Sequence, residues 1–66
     1  MTFEIKKKYV RREEVEEITT LSKSTIYRLM RTKEFPSQAK IGGRKVGWSL
    51  DEVYAWCDEK LSERDL

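Results

Sequence analysis

Two short stretches with helical apolar spacing, 12–19 and 22–33, stand about three residues apart, and that gap restricts the fold more than any other feature. In RREEVEEIT, Val15 and Ile18 lie three apart, with Leu21 following. In LSKSTIYRLMRTKEFP, Ile26, Leu29, Met30 and Lys33 recur on one face, while Ser24, Arg28 and Arg31 share the opposite face with Thr25 and Tyr27 on its flanks. Two short helices joined through Thr19-Thr20-Leu21 form a helix-turn-helix.

Local signals mark the helix boundaries. Glu13 and Glu14 suit the positive start of the first helix, where Val10 and Val15 stand at staple spacing around Arg11 as the cap. Ser22 is a good N-cap for the amide of Ser24 or Thr25, and Leu21 and Ile26 stand at staple spacing around it. The second helix must end before Phe35-Pro36, because a residue preceding proline avoids helical geometry. Arg31 stands three residues before Glu34, close enough for an ion pair on a continuing helix.

The flanking segments read as follows. Residues 3–10 suit a short strand or an extended arm. Residues 38–49 read as a hairpin turning at Gly42-Gly43, with Arg44 and Lys45 at or near its tip and Ala39, Ile41, Val46 and Trp48 on one face. A hairpin after a helix-turn-helix is a wing. Ser49 and Glu52 then form a capping box for a last helix over about 50–62, on which Leu50, Val53, Trp56, Cys57 and Leu61 line the core and the acids point outward. The fold class is mostly α with a small β-hairpin: three helices plus a wing, in one winged helix-turn-helix domain over 1–66 with its core at about 9–62.

Charge is segregated along the chain. Residues 1–12 carry five cations and one acid, 13–21 four acids, 22–50 seven cations and one acid, and 51–66 six acids and two cations. The basic character of the centre coincides with the polar face of the second helix. A helix entering the major groove reads base edges with side chains in its N-terminal half and grips phosphates with cations. Ser24, Thr25, Tyr27 and Arg28 are of the types such a helix needs, with Arg28 able to donate two hydrogen bonds to a guanine. Lys23 and Arg31 suit phosphates, and Arg44 and Lys45 would reach the backbone or the adjacent minor groove. Lys6-Lys7-Lys8 has no assigned role beyond phosphate contact. Tyr27 has a second reading, as cover for the edge of the core.

Several classes are disfavoured. One cysteine permits no intrachain disulfide and, with no histidine, no zinc site is expected. Cys57 beside Trp56 reads as packing rather than a nucleophile, and Gly42-Gly43-Arg44-Lys45 lacks the spacing of a phosphate loop, so no catalysis, cofactor or small-molecule substrate is expected. No apolar run approaches membrane-spanning length and no signal peptide is read, which points to the cytoplasm.

Over about residues 9–60 the chain resembles the AlpA family of small prophage regulatory proteins, relatives of the excisionases with a MerR-like winged helix-turn-helix fold. The likeness is carried by LSKSTIYRLMRTKEFP, KIGGRKVGW and DEVYAWCDEK. Leu21-Ser22-x-Ser24-Thr25-Ile26-Tyr27-Arg28 matches the family's recognition-helix motif. Phe35-Pro36, Lys40-x-Gly42, Arg44, Trp48 and Glu52-Val53-x-x-Trp56 match its wing and closing helix. The resemblance implies Ser24, Thr25, Tyr27 and Arg28 as DNA-reading positions and Arg44 as the wing contact. It implies a regulator of prophage transcription or an accessory protein that bends DNA during excision. Two departures stand out. Thr20 occupies a usual glycine position, so the turn is expected to be built differently, and Cys57 replaces a usual aliphatic residue.

The expected partner is double-stranded DNA, with self-association or cooperative binding expected from the small surface of one module. RNA polymerase or an integrase are further expected partners. A reading from another class makes the basic face a docking surface for an acidic protein.

Overall fold

The computed structural model describes residues 7–64. Its elements, in chain order, are β1 (Tyr9–Val10), α1 (Arg12–Thr19), α2 (Lys23–Arg31), β2 (Ala39–Gly42), β3 (Lys45–Ser49) and α3 (Leu50–Ser62). The three strands form one antiparallel sheet in the order β1-β3-β2. This is the small winged helix-turn-helix architecture, with the expected hairpin extended by a third strand. Of the strand or arm expected at 3–10, only the end is seen as β1, and residues 3–6 lie outside the described residues.

The core is wholly apolar. Val10, Val15, Ile26, Phe35, Trp48 and Val53 are buried, and Ile18, Leu21, Leu29, Met30, Leu50 and Trp56 pack around them. Both helices of the pair thus lean on the same cluster. The caps follow the local chemistry. Ser22 Oγ accepts from the Thr25 amide at 3.3 Å, and Ser49 Oγ from the Glu52 amide at 3.3 Å, the half of the expected capping box that forms. Arginine offers no acceptor at the start of α1. There the Glu14 carboxylate reaches back instead, accepting the Arg11 amide at 3.3 Å.

Five sequence expectations are corrected by the geometry. First, the turn between α1 and α2 keeps the left-handed residue, with threonine in place of glycine: Thr20 has φ 63° and ψ 12°. Its neighbours hold it there. The Thr20 amide donates to Glu16 O at 2.7 Å. The Thr19 hydroxyl donates to Val15 O at 2.7 Å and accepts the Leu21 amide at 3.2 Å. Second, α2 stops at Arg31 rather than Lys33. Lys33 turns left-handed at φ 61°, while its amide reaches Met30 O at 3.1 Å and the Glu34 amide reaches Leu29 O at 2.8 Å, closing a Schellman motif. Third, because the helix has ended there, Arg31 and Glu34 do not pair.

Fourth, the wing register differs by one residue. A bulge falls between Lys40 and Gly42, so Ala39 opposes Gly47 and Lys40 opposes Val46. One residue of slip exchanges the faces of a strand. Val46 therefore shares its face with Lys40 and Trp48, and Ala39 shares its face with Gly47. Gly47 is required on this central strand, since a Cβ there would lie 2.5 Å from Ile41 Cδ1 and 2.9 Å from Val10 O. At the tip only Gly43 takes positive φ, at 55°. Fifth, Leu61 does not line the core and is 57% exposed, because the packed face of α3 ends at Trp56.

Two tryptophans secure the segment between α2 and the wing. The Trp56 indole N–H donates to Glu34 O at 2.7 Å and the Trp48 indole N–H to Pro36 O at 3.1 Å. Between them the Phe35 ring meets the Trp56 ring edge-on, with centroids 4.9 Å apart.

Candidate nucleic-acid interface

Helical spacing puts Ser24, Arg28 and Arg31 on one face of α2, and all three are exposed, as is Lys23 at its start. The N-terminal hydroxyls form a local cluster. Ser22 Oγ lies 2.9 Å from Thr25 Oγ1 and 3.3 Å from Ser24 Oγ. Thr25 is half-buried and its hydroxyl is engaged in this cluster, which leaves Ser24 the freer of the two. Arg44 and Lys45 are exposed at the tip of the wing.

Tyr27 is placed differently from the rest of α2's polar side. It is half-buried and lines a groove of about 320 Å³ together with Arg44 and Lys45 of the wing. The groove also takes in Arg11, Arg12 and Gln38. Sequence spacing did not single out these three as site residues. The net charge of residues 1–12 was the available signal for the two arginines, and Gln38 offered none. The two arginines arrive because β1 pairs with β3, Val10 opposite Trp48, which brings the start of α1 beside the wing, and Gln38 directly precedes β2.

The ion pairs divide the molecule. Lys7 pairs with Glu14, Arg12 with Glu13 at 3.1 Å and with Glu16 at 3.0 Å, and Lys60 with Glu63 at 3.5 Å. None involves a residue between 22 and 50. Lys23, Arg28, Arg31, Arg44 and Lys45 therefore have no acidic partner among the described residues. Lys7, from the tri-lysine run, is instead drawn into holding α1.

Titration follows the same division. The Lys7 ammonium and then the Arg11 amide hold the Glu14 carboxyl below the usual carboxylate range. Partial burial, then Asp58, push the Cys57 thiol above its usual value, which lowers the thiolate fraction. Cys57 is half-buried on α3. No helix among the described residues is long and apolar enough to cross a membrane.

With this geometry in place, two similarities bear on the chain. The family described as Prophage CP4-57 regulatory protein (AlpA) matches residues 8–61. Among curated proteins, the chain is 42% identical over 57 residues to "Uncharacterized protein ORF88" of Enterobacteria phage P4, covering 86% of this chain and 65% of that protein. The chain thus spans slightly less than two thirds of that relative's length.

Proposed function

The chain belongs to the AlpA family of prophage regulatory proteins, and from that premise we propose that it is a sequence-specific double-stranded DNA-binding regulator of prophage genes. Helix α2 enters the major groove, with Ser24, Thr25, Tyr27 and Arg28 as reading residues and Lys23 and Arg31 on phosphates. The wing, through Arg44 and Lys45, grips the adjacent backbone. The observation that carries this reading is the distribution of ion pairs. Lys7, Arg12 and Lys60 pair with acids in α1 or at the end of α3, while the cations of α2 and the wing meet none among the described residues. Exposed unpaired cations on the second helix of a helix-turn-helix suit polyanion binding, in which each phosphate contact releases condensed counterions.

The test is affinity against salt for a fragment from beside the gene and a scrambled duplex. Wild type should prefer the native fragment. Arg28→Ala should lose about 1–3 kcal/mol of that preference while keeping most of the salt slope. Equal, weak binding of both duplexes by both proteins would overturn the proposal and favour an acidic protein partner for the basic face.

A further inference from the structure

We infer that the groove between the start of α1 and the wing seats a phosphate of the DNA backbone, with Arg11 and Gln38 as contacts beside Tyr27, Arg44 and Lys45. The inference rests on the DNA-binding reading above and assigns a contact surface beyond the 24–28 face. Three elements converge on the groove, and each contributes a cation without an acidic partner among the described residues: Arg11 from the cap of α1, Arg44 from the hairpin loop and Lys45 from β3. Gln38 adds an amide donor, and Tyr27 of α2 walls the groove.

The acid on the rim does not cancel this charge. Glu13 already accepts from Arg12 at 3.1 Å, and Arg12 is further held by Glu16 at 3.0 Å. What remains is a concave set of hydrogen-bond donors and positive charge open to solvent, whose lining acid, Glu13, is already paired. Charge-assisted bonds from arginine and lysine to phosphate are the strong kind, and arginine can meet two phosphate oxygens at once. A seat flanking α2 would fix the protein's register on the duplex without reading sequence.

Arg11→Ala suits the test. The Arg11 side chain makes no hydrogen bond among the described residues, and its backbone bonds to Glu14 and Val15 survive the substitution. An unchanged thermal midpoint checks this, and Arg11→Gln serves as a second variant of similar bulk. Arg11→Ala should weaken the native and scrambled duplexes by the same factor and lower the salt slope by about one phosphate, leaving the preference intact. Gln38→Ala should weaken both equally with the slope unchanged. Affinity and slope unaltered by either Arg11 variant, while Arg28→Ala still erases the preference, would overturn this inference and leave the proposed function standing. Loss of duplex preference and salt slope in wild type itself would remove both. A nuclear magnetic resonance titration separates the ligand's source. Shifts of the Gln38 side-chain amide should respond to duplex. A response to inorganic phosphate but not to duplex would overturn the assignment to the backbone.

Discussion

Helices α1 and α2 are close in length and rest on the same core, yet they treat charge in opposite ways. α1 holds its cations against acid: Arg12 bonds Glu13 and Glu16, and Glu14 takes both Lys7 and the Arg11 amide. α2 begins with no acid in its first turn and carries Arg28 and Arg31 bare. The contrast separates supporting from contacting roles within one helix-turn-helix. A helix whose cation is already paired and whose excess charge is acidic has no electrostatic attraction for a polyanion. A helix whose charges stay open keeps that affinity for what docks on it.

The largest perturbation removes what the two helices share. Trp48 is 1% exposed, and Trp48→Ala should cost about 3–5 kcal/mol. A domain this size has a total stability of about 3–10 kcal/mol at the usual value per residue. The variant should unfold at a much lower temperature by circular dichroism, both helices being lost in one transition. Retained α1 helicity with α2 melted would break the picture of a common support.

Arg28→Ala comes next. It should lose about 1–3 kcal/mol of sequence preference and leave the thermal midpoint unmoved, since the side chain is exposed and makes no hydrogen bond or ion pair among the described residues. A fallen midpoint would mean that α2 is less distinct from α1 than its bare charges indicate.

In one respect the helices are alike, because both end on a left-handed residue other than glycine, Thr20 and Lys33. That conformation costs an L-residue about 1–2 kcal/mol, against a chain-entropy cost of about 0.5–1 kcal/mol for glycine. Thr20→Gly and Lys33→Gly should each stabilise by about 0.5–1 kcal/mol, visible as a raised thermal midpoint. Unequal gains would show which turn is held more firmly by its surroundings.

The smallest effect concerns acid. The Glu14 carboxyl is held below its usual range when folded. Its contribution is therefore present at neutral pH and is lost as the pH falls below the ordinary carboxylate value and through the folded one. The thermal midpoint of wild type should decline more steeply between about pH 5 and pH 3 than that of Glu14→Gln. Matching curves would show that the Glu14 contacts at the start of α1 contribute no stability.

Much of this division could be read from the residues alone. The spacing of Val15 and Ile18, the Ser22 and Ser49 caps and the charge blocks locate the helices, because those signals act within one turn of chain. The wing register was hidden, since the bulge at Ile41 lies where β1, β2 and β3 crowd around Gly47, a contact between strands distant in the chain. The groove was hidden for the same reason. Arg11 becomes a neighbour of the wing only through strand pairing, which leaves no mark at short range, while Gln38 adjoins β2 in the chain but carries no charge to mark it as a contact. Thr20 misled because residue type measures the usual cost of a conformation. Here the Thr19 hydroxyl and the Glu16 carbonyl hold the turn whatever that cost.

The two indole bonds to Glu34 and Pro36 have a mechanical consequence. They brace the link between α2 and the wing from both ends, so the span between the two contacts is set by the protein rather than adjusted on docking. On the proposed function, the duplex is then the compliant member of the pair. A DNA site whose groove width already matches that span binds without distortion, whereas a stiffer mismatched site must be deformed to fit. Selectivity would then extend to base pairs that no side chain touches, and stiffening the DNA between the two contacts would weaken binding more than stiffening the protein.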